Sequence, residues 1–141
     1  MVTATHTIRP AVHADHDAVV ALWESAGLGR TATDEWEALI GGPTSAVLVA
    51  EAGGTIAGAG VATFDGWRAY IYHVAVSPRH RREGVGHDLM EEAEQYLVSA
   101  GARFVYVMVH EENTEGLALV GANGYLPDGD LVLTKPLASR A

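Results

Sequence analysis

Between residues 46 and 100 the hydrophobic period changes once, across a loop of proline, arginine and glycine. Before the loop, AVLVAE (46–51), IAGAGVATF (56–64) and AYIYHVAV (69–76) have the residue types and lengths of strands. The turn sequences AGGT and DGWR between them predict an antiparallel meander. Gly58 and Gly60 in the middle strand predict close packing or a bulge. After the loop, Val85, Leu89, Met90, Ala93, Tyr96, Leu97 and Ala100 recur at helical spacing. Glu91, Glu92 and Glu94 lie on the other side of that helix, and Gly101 supplies its stop.

The rest of the chain reads around this unit. TIRP is a short strand ended by Pro10. A helix begins at Asp15 or Asp17, with Val19, Leu22, Trp23 and Ala26 on one face and Gly27 as its stop. TATDEWEALIGG predicts a second short helix, capped by Thr33 or Asp34 and ended at Gly41-Gly42. RFVYVMV (103–109) is apolar on both faces, which predicts a central strand rather than an edge. Asn113 caps a helix that runs to about Asn123-Gly124, and LVLTKPL (131–137) is a final strand. The order β, α, α, β, β, β, α, β, α, β predicts an α/β (α+β) fold, a mixed and mostly antiparallel sheet flanked by helices. At 141 residues the expectation is one domain, 1–141.

Composition closes off several function classes. The formal net charge is −9, from 9 Lys and Arg against 18 Asp and Glu. That argues against a nucleic-acid partner, which needs a broad basic face. Without cysteine there is no disulfide, thiolate metal site or cysteine nucleophile. No apolar run approaches the roughly 20 residues of a membrane span. MVTATHTIRP has no hydrophobic stretch of the kind that exports a protein. The expectation is a cytoplasmic protein with no membrane partner. His13 and His16 in HADH, and His110 with Glu111 and Glu112, have ligand-like residue types. Helix-start capping and a polar loop explain them better, so no metal is expected.

Against this acidic background, Arg79, Arg81 and Arg82 crowd into one loop. Gly84 and Gly86 follow at the start of the helix. A helix N-terminus presents unpaired N–H groups and partial positive charge, and glycine lets a ligand approach the backbone. With arginines added, the chemistry suits a phosphate or pyrophosphate. GxxxxGK[ST] is absent, and Leu89 stands where GxGxxG would need its third glycine.

VAVSPRHRREGVGHDLM resembles the cofactor motif of the GCN5-related N-acetyltransferase (GNAT) superfamily, V-x-P-x-x-R-x-x-G-x-G-x-x-L. Val76, Pro78, Arg81, Gly84, Gly86 and Leu89 fit it. The opening IRPA…D…VVALW, the meander, and N-x-x-G-x-x-L…NGY from Asn113 to Tyr125 follow the family's order. FDGWR, with LVAE and LW upstream, is similar to a small bacterial branch of that superfamily. The resemblance implies acetyl-CoA as co-substrate, with its pyrophosphate on the backbone N–H groups of Arg82, Glu83, Gly84, Val85, Gly86 and His87, beside Arg81. It implies that the pantetheine arm runs along Val74, Ala75 and Val76, where that strand splays from 103–109, and passes near Asn113.

Acetyl transfer to an amine needs a neutral amine, a thioester within reach, donors for the oxyanion and a proton for the leaving thiolate. Direct attack in a ternary complex is the simplest route, and the backbone N–H near Val76 is the expected oxyanion donor. His73 on the same strand titrates near neutrality and is the first candidate base; Tyr72 is the alternative. Strand alternation lets only one of the two face the acceptor. Trp23 is a candidate for the acceptor cleft or the core, and Glu24, Asp34 and Asp65 are weaker candidates for the base or for binding the acceptor amine. After Leu119 the family often carries a tyrosine that protonates the thiolate; here it is Val120. The expected activity is an acetyl-CoA-dependent N-acetyltransferase acting on a small amine or a peptide amino terminus. The alternative is an acetyl-CoA-binding sensor without efficient turnover. A homodimer through the final strand fits either reading.

Overall fold

A computed structural model of the chain describes residues 6–138. Part of the N-terminal stretch read for export lies outside the described residues. The strands are β1 (Thr7–Pro10), β2 (Ser45–Ala52), β3 (Thr55–Phe64), β4 (Ala69–Val76) and β5 (Val105–Val107). The α-helices are α1 (His16–Ser25), α2 (Thr33–Gly41), α3 (Val85–Ala100) and α4 (Thr114–Ala122). They form one sheet in the order β1-β2-β3-β4-β5. The first four strands pair antiparallel, and β5 joins β4 in parallel. The mixed, mostly antiparallel sheet flanked by helices is therefore the fold.

Alternation along the strands sends side chains to two cores. On one face Leu48, Ala50, Ala62 and Ile71 meet Val85, Leu89, Met90, Ala93 and Leu97 of α3, with Val120 of α4. On the other, Val47, Val49, Ala59 and Val61 meet Val19, Leu22 and Trp23 of α1 and Trp36 of α2. Each Val, Leu, Ile or Met side chain among these contributes about 1.5–3 kcal/mol on leaving water, before entropy is counted. The turns are those the glycines allow. Gly53 and Gly54 both take positive φ between β2 and β3. Between β3 and β4 the Asp65 carboxylate accepts from the N–H of Trp67 and of Arg68. Gly58 is needed for close approach, because a Cβ there would lie 2.8 Å from Val85 and 2.9 Å from Leu89. Arg9 of β1 grips Asp15 through two N–H groups and Glu51 through a third, which ties the first loop to the sheet.

Three expectations fail. The second helix is capped by neither Thr33 nor Asp34. It starts at Thr33, and the Glu35 carboxylate reaches back to accept from the Ala32 N–H at 2.7 Å. Residues 103–109 yield only a three-residue strand, and it is an edge, not a centre. The last strand, 131–137, does not form. Gly129, at positive φ, and the Asp128 carboxylate, which accepts from the Asp130 N–H, turn the chain first. Leu131, Leu133 and Leu137 then project into solvent, 85%, 87% and 95% exposed. A strand is stable only against a partner strand. Among the described residues β5 pairs only with β4, and 131–137 pair with no strand.

Candidate active site

The site begins with an irregularity in β4. Val61 pairs with Tyr72 and Ala59 with Ala75, so His73 and Val74 together oppose the single residue Gly60. This is a β-bulge. His73 takes φ +55°, a left-handed conformation that costs a residue with a Cβ about 1–3 kcal/mol. Gly60 is small for a reason: a Cβ there would lie 3.0 Å from Val74 Cγ2. The parallel ladder with β5 joins Ala69, Tyr70 and Ile71 to Val105, Tyr106 and Val107 and goes no further. From Tyr72 onward, β4 has no partner strand on that side among the described residues.

The bulge overturns the expectation that Tyr72 and His73 face opposite ways. Both line one cavity of about 440 Å³, together with Trp23. An inserted residue breaks the period of two, so neighbours can share a face. Their rings meet edge to face at 5.6 Å. The His73 Nε2 lies 3.2 Å from the Gly29 carbonyl. A carbonyl can only accept, so Nε2 carries the hydrogen and Nδ1 keeps the lone pair. Burial pushes the His73 pKa below its ordinary value, against the smaller opposing pull of the Gly29 carbonyl. Burial also pushes the Tyr72 hydroxyl up. At neutral pH the cavity therefore holds a neutral imidazole and a protonated phenol.

Of the acceptor-side residues expected from sequence, the structure brings only Trp23 to this cavity. Glu24 is exposed, 3.6 Å from Arg30. Asp34 lies exposed in the first turn of α2. Asp65 serves its turn, and the Arg68 and Trp67 N–H groups hold its carboxyl below the usual range. Neither Asp34 nor Asp65 lines the cavity. The carboxylate that does is Glu35, with Arg30 and Thr31 from the loop between α1 and α2. The same three residues also line an adjoining cavity of about 500 Å³ beside His16. Nothing in the local sequence marks Glu35, because its capping role is common to helix starts. Trp36 is fully buried and packs on His16 and Trp23. Trp67 is 77% exposed, with the Arg68 guanidinium 4.6 Å above its ring. His13 and His16 part company: His13 lies 3.7 Å from Glu37, while His16 reaches Thr31.

Beyond β4 the chain makes a short 3-10 turn at Pro78–His80 and enters α3 at Val85. Arg82 and Gly84 both take positive φ. The first N–H groups of α3, at Val85, Gly86 and His87, have no acceptor within the helix. The two glycines of the motif do different work. Gly84 has open space where a Cβ would be. At Gly86 a Cβ would lie 3.0 Å from Leu119 and 3.5 Å from Val76. The room it leaves on that side is taken by protein, so Gly86 sets the approach of α3 to α4. The Arg81 guanidinium is paired with Glu115, while Arg82 is exposed. Asn113 accepts from the Gly116 N–H and caps α4. Val120 is 9% exposed and belongs to the core.

Comparison with known proteins agrees with this geometry. Residues 11–125 match the model of the acetyltransferase (GNAT) family. An acetyltransferase of Pectobacterium atrosepticum is 32% identical over 102 residues, 70% of this chain and 72% of the relative. An acetyltransferase of Yersinia pestis is 29% identical over 126 residues, 87% of this chain and 89% of the relative. Among solved structures, an aminoglycoside acetyltransferase from an uncultured soil metagenomic sample, in complex with sisomicin, superposes with a TM-score of 0.78. It is 18% identical, covering 96% of this chain and 97% of its own, and speaks to the fold alone.

Proposed function

The chain belongs to the acetyltransferase (GNAT) family, and from that premise we propose that it moves an acetyl group from acetyl-CoA to a primary amine by direct attack in a ternary complex. One observation carries the reading. The unpaired outer half of β4 lies between an N–H-rich loop at one end and the cavity holding His73 and Tyr72 at the other.

Acetyl-CoA supplies an activated acetyl thioester. Its diphosphate suits the N–H groups from Arg82 to His87, with the exposed Arg82 side chain adding charge and Arg81 beside it held by Glu115. Its pantetheine amides suit the free backbone edge of Val74, Ala75 and Val76, with Asn113 alongside. The Val76 N–H is the donor to the carbonyl oxygen as negative charge gathers there. His73 Nδ1 accepts the proton that the amine nitrogen sheds as it bonds to the thioester carbon. The sulfur leaves as a thiolate and takes a proton from the Tyr72 hydroxyl or from water. Glu35 gives the cavity a carboxylate that favours a cationic acceptor on approach. The acceptor is a small amine or a peptide amino terminus. Sisomicin on the soil acetyltransferase is an instance of an amine compound bound by this fold.

Val120 favours a second reading, an acetyl-CoA sensor, since a valine in the core cannot protonate a thiolate. The two readings part on turnover. Thiol release is followed with acetyl-CoA and a panel of aromatic, aliphatic and peptidyl amines. The enzyme reading expects release that depends on one class of amine and is lost in His73→Gln. Binding without amine-dependent release would favour the sensor. No helix among the described residues is long and apolar enough to cross a membrane. A cytoplasmic location belongs to the same proposal. So does a homodimer that covers Leu131, Leu133 and Leu137, testable by sedimentation across a dilution series.

A further inference from the structure

The structure assigns Trp23 a positioning role: its indole N–H holds the His73 carbonyl and so fixes the bulge that opens the outer half of β4. The contact is a hydrogen bond of 2.7 Å from Nε1, spanning 50 residues of sequence. Its geometry is independent of the proposed reaction; its consequence for acetyl-CoA rests on that reading.

A residue at positive φ turns its carbonyl away from the direction the ladder needs. The bulge leaves the His73 carbonyl for something outside the sheet to satisfy. Trp23 does this from α1, in a different layer. The same indole meets the His73 imidazole edge to face at 5.1 Å. One side chain thus holds both the carbonyl and the ring of His73. Trp23 cannot itself shift, because it is fully buried and packs edge-on against Trp36 at 6.5 Å. The Gly29 carbonyl holds the far side of the imidazole. Without the indole donor, the left-handed conformation at His73 loses its compensation. Extended backbone at residue 73 would then restore strict alternation. Tyr72 and His73 would part, and β4 could continue its ladder along β5.

The test is a rescue experiment. Trp23→Phe keeps an aromatic ring and removes the donor. Acetyl-CoA affinity, measured by calorimetry, is expected to fall about tenfold, in line with one lost part-buried hydrogen bond. The double variant Trp23→Phe/His73→Gly should bind within about threefold of His73→Gly alone, because glycine takes positive φ without strain. A role of Trp23 in core packing alone would not be rescued from β4. Undiminished binding by Trp23→Phe, or a double variant more than about threefold weaker than His73→Gly alone, would overturn the assignment. A second measurement needs neither mutation nor ligand. In the wild-type protein the Trp23 indole N–H should exchange with solvent far more slowly than that of Trp67, and show a hydrogen-bonded shift by NMR. If the wild type binds no acetyl-CoA, the functional reading falls, and this exchange rate alone decides the clamp. An indole that exchanges as fast as Trp67 removes it.

Discussion

The two halves of β4 differ in kind. From Ala69 to Ile71 the strand has neighbours on both sides, β3 antiparallel and β5 parallel. Beyond Tyr72 it keeps only β3, carries a bulge, and places a histidine at φ +55°. The first half obeys the rules of sheets and contributes stability. The second half breaks them, and its departures coincide with the features a bound thioester would need. The extra residue puts two adjacent side chains on one face, the end of the β5 ladder at Ile71 frees backbone polar groups, and burial keeps the imidazole neutral. Strain of this kind persists only where surrounding contacts fix it. Here Gly60 and Trp23 are those contacts.

The difference between the halves can be attacked from several sides. Gly58→Val should do the most damage, since its side chain would enter the space of Val85 and Leu89 and approach the Ala75 carbonyl, 3.0 Å from a Cβ. Overpacking of a core costs about 1–3 kcal/mol, occasionally more. Urea unfolding should show the loss, with α3 unable to seat beneath the outer half. Gly84→Glu puts a negative charge and a strained φ in the loop, and should weaken acetyl-CoA binding by about a hundredfold or more, two factors of about 1.4 kcal/mol. The melting temperature should move by only a few degrees, which separates the loop from the core. His73→Gln should lower kcat/KM by about a hundredfold, the lower range for a general base. It should also abolish the acid limb of the pH profile. In the wild type that limb should fall below the ordinary histidine value of about 6.5, because burial lowers the pKa. The same shift has a stability consequence. The folded state resists protonation at His73 while the unfolded chain accepts it, so stability contributed here falls as pH drops from about 6.5 toward the folded value. His73→Gln should flatten that slope. Asp65→Ala should have the smallest effect, a slightly lower melting temperature from the loosened β3–β4 turn and unchanged transfer.

Contiguous features were legible in the sequence. The meander, α3 from Val85 to Ala100 and the Asn113 cap each rest on local periodicity or a single cap residue, and each is where the pattern puts it. The loop from Ser77 to His87 is continuous, so its residue types could be read together. The cavity beside His73 is assembled from α1, the loop after it, α2, β3 and β4, and no local pattern joins Glu35 to His73. Gly60 suggested close packing or a bulge within the middle strand, whereas the extra residue sits opposite it in β4. It did not say that Tyr72 and His73 would end on one face, because the partner of the bulge lies across the sheet. The two apolar faces of 103–109 suggested a central strand, and the pattern of 131–137 suggested a final one. Apolarity cannot by itself supply a partner: β5 is a half-buried edge strand, and Leu131, Leu133 and Leu137 stand exposed.

The most direct test of the account is calorimetric titration of acetyl-CoA into the wild-type protein, at low and moderate salt. The account predicts saturable binding at one site per chain, weakened by salt because the diphosphate meets exposed charge in the 81–87 loop. Absence of binding at both salt concentrations would contradict it, and the open half of β4 would then serve some other ligand.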